Sequence, residues 1–460
     1  MKGLVRGRVY QTSQFVRCLK IPNGQHLVYH TLIGNPTVIN GSTKEILDYF
    51  GQPRTVHDFL DQFEVNRSVE GVIVFLAQNQ FVVFPEDDQR EKVLSLETII
   101  TDAASGKNMH VLDLSVSEVC NFGCRYCMHN RALNLNSSRV VGSNGFMSPV
   151  LARKAIQEFR ENLQRNGIAN WNLHLGSAEP LLVFDLVKEI VEYLYRIQFI
   201  PNDISINSNL SRLTREMALF FKEYNIRVNT SFDGLPDVND LVRVYKNGRG
   251  TASDILRGIE LVRSVGHYVN GVGVTLCDVN FDLVNDKIID WLVEHQIPNV
   301  LFDIDIVHLV DLNVELVAEK FVRFERICRE RGIRVDGCWK TAYENIRDSG
   351  VSGVKSFCYA LMGNNLLVAP SGNLYYCTYS GTPIGNIGNF PESLTNGPFR
   401  DLLTQSLKAD FSECHGCDIE GHCLGGCLLT REGSDQGQKI SQMCKFYRAA
   451  TEKLLRLDVV

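Results

Sequence analysis

The sequence predicts an α/β protein: a partial (β/α)6 TIM-type barrel with an N-terminal winged-helix-like α+β domain and a C-terminal cysteine-rich domain. Between about residues 110 and 310, strand-like and helix-like segments alternate with a repeat of roughly 30 residues, the period of βα units. Residues 1–85 instead show short strands, three short amphipathic stretches and a closing strand. From about residue 350 the composition shifts towards Cys, Gly and Asn.

Length and composition set the number of domains and exclude several partners. The chain has 460 residues, more than one ordinary core holds, and we divide it at 1–100, 101–335 and 336–460. A net charge of −6 gives no general attraction to nucleic acid or anionic membranes. The first 15 residues lack the apolar core of a secretory signal, and no apolar run is long enough for a transmembrane helix. We therefore expect a cytoplasmic protein without nucleic-acid or membrane partners.

The N-terminal domain has the element order of a winged helix. The runs "SQFVRCLKI", "QHLVYHTLIGNPTVIN" and "FVVF" are strand-like, and Ser42 and Thr55 are expected helix N-caps. Residues 1–100 hold ten Lys or Arg against eleven Asp or Glu, and no helix carries a basic stripe, which disfavours DNA binding. The edge of a small sheet can accept an extended peptide as an added strand. We favour peptide docking, and a purely structural cap stays open.

The barrel region offers six strand candidates and a cysteine motif behind the first. The strands are "HVLDLSV", "NWNLHLG", "DISINSN", "IRVNTSFDG", "NGVGVTL" and "NVLFDIDIV". Ser148 and Pro149 suit the start of the helix between the first two. The motif "SVSEVCNFGCRYCMHN" places Cys120, Cys124 and Cys127 directly after the first strand, at the barrel mouth, where such folds carry their chemistry.

Three thiolates at C-x₃-C-x₂-C spacing can hold three irons of a [4Fe–4S] cluster and leave the fourth open to a small ligand. The 14 cysteines are clustered in a chain without a signal peptide, which favours metal ligands over disulfides. A zinc site completed by His129 is the alternative.

The motif resembles that of the radical S-adenosylmethionine (SAM) enzymes, in which an aromatic residue precedes the last cysteine, as Tyr126 does here. The resemblance implies that the cluster binds SAM and cleaves it to a 5′-deoxyadenosyl radical that abstracts a substrate hydrogen. "LGSAEPLL" corresponds to the family's Gly-Gly-Glu-Pro segment, with Ser177 and Ala178 in place of the two glycines. The residues that the resemblance assigns to cofactor contact are Tyr126, Ser177, Ala178, Glu179, Asn207, Asn209, Ser231, Asp233 and Arg243.

Seven further cysteines form a second pattern. Cys358 is followed by Gly372 and Cys377, then by a C-x₂-C-x₅-C-x₃-C run and a last cysteine. In isolation a zinc ribbon is a reasonable alternative. Behind the first motif, the pattern is similar to the SPASM domain, which implies two auxiliary [4Fe–4S] clusters and three in all. The carry-over gives Cys358, Cys377 and Cys427 to the first auxiliary cluster, and Cys414, Cys417, Cys423 and Cys444 to the second.

The first auxiliary cluster thus has three assigned ligands. Either another residue such as Cys338 completes it, or an open iron is left for a substrate donor, and the spacing does not decide. Cys18, Cys277 and Cys328 are expected to be buried hydrophobic residues.

Together these features resemble the maturases of ribosomally synthesised peptides. The resemblance implies a precursor peptide whose leader docks on the N-terminal domain, and an electron donor such as ferredoxin or flavodoxin. The product would be a thioether or carbon–carbon cross-link or another change to the core peptide. Two alternatives stay open: a maturase of a folded enzyme, like the sulfatase-maturing enzymes, and a non-catalytic iron–sulfur scaffold or peptide-binding partner.

Overall fold

Six parallel strands form the centre of the computed structural model, in chain order. They are β7 (Val111–Ser117), β8 (Asn172–Ser177), β9 (Asp203–Asn207), β10 (Arg227–Ser231), β11 (Val269–Leu276) and β12 (Asn299–Ile304). They correspond to the six predicted strands, and the α/β fold class with a partial barrel is confirmed. The structure describes residues 7–63, 67–89, 97–130, 139–306, 308, 312–348, 355–395, 397–408, 411–432 and 436–459.

Helices follow the barrel strands and cover their outer face. They are α4 (Glu97–Ala104), α5 (Pro149–Asn166), α6 (Phe184–Arg196), α7 (Arg215–Glu223), α8 (Pro236–Val242), α9 (Ala252–Ser264), α10 (Lys287–Glu294) and α11 (Val314–Glu330). Helix α5 begins as predicted, since Ser148 Oγ accepts from Leu151 N (3.2 Å) and Pro149 occupies the first turn. In β8, Leu173 and Leu175 are fully buried, whereas His174 on the opposite face is only partly buried. The strands therefore present apolar side chains to the helices and polar ones to the interior.

The C-terminal region continues the same sheet on both sides. Strand β13 (Arg334–Asp336) pairs with β12, and β14 (Asn365–Val368) pairs in parallel with β7, followed by antiparallel β15 (Asn373–Tyr375) and β16 (Gly385–Asn386). Strand β14 therefore extends the parallel part of the sheet by one strand beyond β7. The remaining helices are α12 (Thr341–Arg347), α13 (Glu392–Thr395), α14 (Pro398–Leu407), α15 (Glu420–Cys423) and α16 (Gln436–Leu457).

Within its described residues, the N-terminal domain forms two three-stranded sheets and three helices before α4. Strands β1 (Val9–Thr12), β5 (Arg54–Thr55) and β6 (Val82–Val83) form one sheet, and β2 (Val16–Lys20), β3 (His26–His30) and β4 (Gly34–Ile39) form the other. The helices are α1 (Gly41–Tyr49), α2 (Val56–Phe63) and α3 (Arg67–Gln78).

One of the two predicted N-caps in this domain is wrong. Thr55 caps α2 as expected, since its hydroxyl accepts from Asp58 N (3.0 Å). Helix α1 is capped by Asn40, whose Oδ1 accepts from Thr43 N (2.9 Å), and Ser42 lies inside the helix. Both Asn and Ser are good caps, and the helix starts two residues earlier than predicted.

Strand β3, the central strand of the sheet β2–β3–β4, is buried on both faces. Val28 packs into the core of the N-terminal domain, whereas its neighbours Leu27 and Tyr29 pack into the core shared by the barrel and the C-terminal region. The alternation of side chains along a strand explains this division. No helix in the described part of the chain is long and apolar enough to cross a membrane.

Candidate functional site

The loop of three cysteines follows β7 and is tied to the segment after α8. Gly123 N donates to Val244 O (2.8 Å), and Arg125 N donates to Val242 O (3.0 Å). These backbone bonds hold residues 120–127 at the carboxyl end of the parallel strands, which is where functional loops of such sheets lie.

Several N–H groups point at the sulfurs of this loop. Cys120 Sγ accepts from Phe122 N (3.4 Å) and lies 3.8 Å from Asn209 Nδ2, while Asn130 N donates to Cys127 Sγ (3.4 Å). Burial raises the pKa of Cys120 to about 11, and the N–H groups of Phe122 and Asn209 act in the opposite direction. Since thiolate is the form that binds metal, a bound cation would favour it further. The donor set fits three irons of a cluster.

A single metal ion fits this arrangement less well. Among the residues that the structure describes, no group of three or more His, Cys, Asp or Glu side chains is placed to hold one ion. Cysteines of a cubane cluster each bind a different iron and need not converge on one point. His129 Nε2 lies 3.0 Å from Glu118 O, and Nδ1 lies 3.3 Å from Ser177 Oγ, so both ring nitrogens are engaged. This disfavours the zinc site that His129 would complete.

A buried ion pair next to the loop was not predicted from the sequence. Glu118 accepts from Arg139 Nε (3.0 Å) and Nη2 (2.8 Å) and from Ser115 Oγ (2.5 Å), and neither charged side chain has exposed surface. Arg139 Nη1 also donates to Ser380 O (3.1 Å), three residues beyond Cys377. The pair therefore connects the first cysteine loop to the C-terminal region. Its partners are distant in sequence, so no local pattern indicates it.

Residues 177–179 keep the backbone path that glycines would favour. Ala178 N donates to Ser117 O (3.1 Å), and Glu179 N donates to Val119 O (3.2 Å). Ser177 has a φ of +91°, a left-handed conformation that costs a non-glycine residue on the order of 1–3 kcal/mol. Ser177, which stands where the family's motif has a glycine, therefore keeps the left-handed backbone conformation that glycine would adopt.

Glu179 is completely buried between the ends of β8 and β9. Its carboxylate accepts from Ser208 Oγ (2.8 Å), Asn209 N (2.8 Å) and Leu181 N (3.0 Å). Burial raises its pKa to about 7, against these hydrogen bonds. No Lys or Arg in the described ranges forms an ion pair with it, so a cationic ligand group would supply its missing counter-charge.

The structure brings together Tyr126, Asp233 and Arg243, three of the residues that the resemblance assigns to cofactor contact. Arg243 Nε lies 2.7 Å from Asp233 Oδ2, Tyr126 donates its hydroxyl hydrogen to the same carboxylate, and Thr275 N donates to Oδ1 (2.7 Å). Burial raises the pKa of Cys124, and the charge of Arg243 opposes it. The three residues therefore stand directly beside the cysteine loop.

Asn207 and Ser231 are not part of this cluster; they are the last residues of β9 and β10. Asn299 Nδ2 donates to Asn270 O (2.7 Å), Asn270 Nδ2 to Asn229 Oδ1 (2.9 Å), and Asn229 Nδ2 to Asn207 Oδ1 (3.0 Å). This chain of amides crosses four strands and occupies the acceptor of Asn207. Of the two predicted asparagines, Asn209 is therefore the one beside Cys120.

The C-terminal cysteines form two groups of four, and Cys338 belongs to the first. Burial raises the pKa values of these thiols, and the charges of neighbouring cysteines add to this rise. Cys338 is solvent-exposed, and the charges of Cys427, Cys358 and Cys377 act on its thiol, which places the four cysteines close together. The first group is Cys338, Cys358, Cys377 and Cys427; the second is Cys414, Cys417, Cys423 and Cys444.

The second group lines a cavity of about 270 Å³. This volume is far above the ~10–15 Å³ needed to admit one water, so a group much larger than a single ion fits there. Cys277 and Cys328 are fully buried, as predicted, and Cys277 packs with Tyr126 of the first loop, whereas Cys18 is only partly buried.

Two residues that the sequence analysis missed lie between the cysteine groups. Burial raises the pKa of Tyr379, and the charges of Cys377, Cys127 and Asp303 add to this rise, so its ring stands close to both the first loop and the first C-terminal group. It is 40% exposed, which shows that it faces open space. Asp303 ends β12 and lies near Cys338, and burial raises its pKa to about 6. Tyr379 lies two residues after Cys377, and Asp303 is an acidic residue within a predicted strand, and these were the only sequence signals that would have found them.

Comparisons with known proteins agree with this geometry. Residues 114–292 match the family model of the radical SAM superfamily. The chain is 22% identical over 442 residues to the radical SAM cyclopropyl synthase TigE of Paramaledivibacter caminithermalis, covering 92% of this chain and 91% of that protein.

Two solved structures share the fold. Native anSMEcpe with bound AdoMet matches with a TM-score of 0.58 and 20% identity, over 75% of this chain and 98% of that one. Streptococcus suis SuiB bound to the precursor peptide SuiA matches with a TM-score of 0.52 and 13% identity, over 93% of this chain and 98% of that one. Residues 114–292 are therefore a radical SAM domain, and the chain as a whole is similar over most of its length to a radical SAM enzyme, TigE.

Proposed function

We propose that this enzyme matures a ribosomally made precursor peptide by radical hydrogen abstraction, with the loop of Cys120, Cys124 and Cys127 holding the SAM-binding [4Fe–4S] cluster. The observation that carries the proposal is the link between this loop and the first C-terminal cysteine group: Glu118 beside the loop pairs with Arg139, which donates to Ser380 O (3.1 Å) three residues beyond Cys377, and the exposed ring of Tyr379 faces the space next to them. A substrate residue in that space would meet the radical source on one side and an electron acceptor on the other. The likeness to SuiB, whose structure holds its precursor peptide, supports a peptide as substrate.

The residues of the chain have separate parts in binding the cofactor. Glu179 would hold the α-amino group of SAM, since its buried carboxylate lacks a cationic partner among the described residues. Asp233 and Arg243 would lie near the ribose or the carboxylate, with Tyr126 fixing the Asp233 side chain. When bound, SAM and the reduced cluster supply the 5′-deoxyadenosyl radical. A ferredoxin or flavodoxin is the proposed electron donor.

The two C-terminal groups would hold the auxiliary clusters, with Cys338 as the fourth ligand of the first. Four thiols around one internal space suit a fully protein-bound cubane. This favours an electron acceptor over a site with an open iron for substrate. Asp303 and Tyr379 would contact the substrate residue.

The N-terminal domain would dock the leader of the peptide as an added strand on the sheet β2–β3–β4. Docking would raise the local concentration of the core peptide at the barrel mouth. TigE and SuiB align over more than nine-tenths of this chain, which includes this domain, and that supports the leader model over a maturase of a folded enzyme.

The reaction is tested by anaerobic co-expression with short peptides encoded beside this gene, followed by intact and fragment mass spectrometry. We expect loss of two hydrogens, because a cross-link removes one hydrogen from each joined atom, and the fragments would locate it. The control is the triple Cys120→Ala, Cys124→Ala, Cys127→Ala variant. An unmodified mass and no deuterium uptake with every neighbouring peptide would contradict the proposal.

The same triple variant should also contain less iron than the native protein. Three cubanes correspond to about twelve irons per chain, and the variant should retain about eight while losing all SAM cleavage. Iron analysis and detection of 5′-deoxyadenosine measure the two effects. Cleavage that survives the triple substitution would refute the cluster assignment.

Cys338→Ala should remove the first auxiliary cluster and lower the iron count from about twelve to about eight, because three thiolates would hold that cubane less firmly. Cys328→Ala is the matched control, since its thiol is buried in α11 away from the cysteine groups. Iron analysis with electron paramagnetic resonance (EPR) of the reduced protein checks the result. Full iron retention by the Cys338 variant would favour the open-iron alternative.

Glu179→Gln should weaken SAM binding roughly tenfold to hundredfold, since a charge-assisted hydrogen bond contributes about 1.5–3 kcal/mol. The pKa of Glu179 is raised to about 7, so its carboxylate is lost as the pH falls below 7. SAM affinity of the native protein should therefore rise between about pH 6 and 7.5, below the range in which an α-amino group deprotonates. The Gln variant should show no such slope.

Anaerobic equilibrium dialysis of the reconstituted protein measures this affinity. Glu189→Gln, a change at a partly exposed residue of α6 that pairs with Arg153, is the control and should bind SAM normally. If the Glu179 variant and the native protein showed equal affinity and equal pH dependence, the assignment of Glu179 to the α-amino group of SAM would be wrong.

A further inference from the structure

The N-terminal domain reaches the loop that carries the second C-terminal cysteine group. Arg17 on β2 donates from Nε to Asp418 Oδ1 (2.6 Å) and from Nη2 to Gly416 O (2.9 Å). These two residues flank Cys417 on either side. One guanidinium therefore fixes the backbone and the neighbouring side chain of a single cysteine.

A second contact holds the short helix α15, which contains Cys423. Gly421 N donates to Thr31 O (2.8 Å) in the turn after β3. A Cβ on Gly421 would lie only 2.6 Å from Leu32 Cα, so the two backbones touch at a point where only glycine fits. The fully buried His422 donates from Nε2 to His30 O (3.1 Å).

The opposite side of the same loop is held by α16. Arg448, four residues after Cys444, donates from Nη2 to Asp418 Oδ2 (2.9 Å). Asp418 is thus shared between the N-terminal domain and the helix of the last cysteine. Tyr29 on β3 lies close to both Asp418 and Cys417.

We propose that the N-terminal domain forms one wall of the second auxiliary cluster site, with Arg17 as a positioning residue for Cys417. This rests on the proposed function insofar as the second group of four cysteines holds a [4Fe–4S] cluster. Partners that orient metal ligands commonly affect metal retention tenfold to hundredfold when removed. The reduction potential of a cluster also follows the charge, hydrogen bonds and solvent exposure around its sulfurs. The domain would therefore set both the retention and the potential of this cluster, in addition to docking a leader.

The test uses the full chain with Cys120→Ala, Cys124→Ala and Cys127→Ala, so that only the two auxiliary clusters contribute. Into this parent we would introduce Arg17→Met, Arg17→Lys and Gly421→Ala. Matched controls are Arg8→Met, an exposed arginine of the same domain paired with Glu86, and Gly437→Ala, where an added Cβ meets nothing within 4 Å. Readouts are the rate of iron loss to a chelator and the redox titration of each cluster by EPR.

We expect Arg17→Met and Gly421→Ala to lose about four of the eight irons at least tenfold faster than the parent, and to shift the potential of one cluster alone. Arg17→Lys should fall between, since lysine keeps the charge near Asp418 but lacks the fork that also reaches Gly416 O. Both controls should match the parent.

Two results would count against the inference, and they differ in what else they refute. If the parent retains eight irons and both Arg17→Met and Gly421→Ala behave like it, the domain is no part of the cluster site, and the proposed function is unaffected. If the parent holds only four irons, the second group carries no cluster, and the proposed function fails on that point together with this inference.

Discussion

The rest of the structure depends on one constraint, the burial of cysteines that lie close to one another. Eleven thiols gather in three groups, and burial raises the pKa values of most of them. As thiolates they would repel one another, and as thiols they would leave internal spaces such as the 270 Å³ cavity poorly filled. The proposed iron–sulfur clusters would resolve both problems, because they would fill space and supply positive charge. The C-terminal region, whose strands merely extend the barrel sheet, is therefore expected to fold together with its clusters.

The rest of the architecture brings the three groups into fixed relation. The pairing of β14 with β7 brings the segment of Cys377 alongside β7, where the hydroxyl of the neighbouring Thr378 donates to Asp113 Oδ2 (3.4 Å). The buried pair of Glu118 and Arg139, through Ser380 O, then ties that loop to the C-terminal region. Removing one member would leave a buried charge without a partner, which typically costs 3–5 kcal/mol. Stability and the spacing of the groups thus rest on the same contacts.

The sequence predicts the parts of this site that depend on local spacing. The βα repeat predicted the six strands, and the cysteine motifs predicted ten of the eleven grouped cysteines. Both patterns are set by residues that are close together in the sequence. Cys338 is twenty residues from Cys358, its nearest partner in the chain, and joins its group only through the pairing of β13 with β12. The Glu118–Arg139 pair and the position of Tyr379 depend likewise on contacts between distant segments. The capping of α1 failed for a local reason, since two acceptable caps, Asn40 and Ser42, stand two residues apart.

The contact between the two ends of the chain changes how the N-terminal domain can be studied. As an independent docking domain, it could be deleted to test leader recognition alone. Deleting residues 1–100 would also remove Arg17 from Cys417 and expose the backbone of α15 at Gly421. Loss of activity would then follow from a damaged cluster site as readily as from a lost leader contact. Separating the two roles requires substitutions on the sheet β2–β3–β4 that leave Arg17 and the turn at Thr31 in place, because only such changes affect a docked strand without disturbing the cysteines behind it.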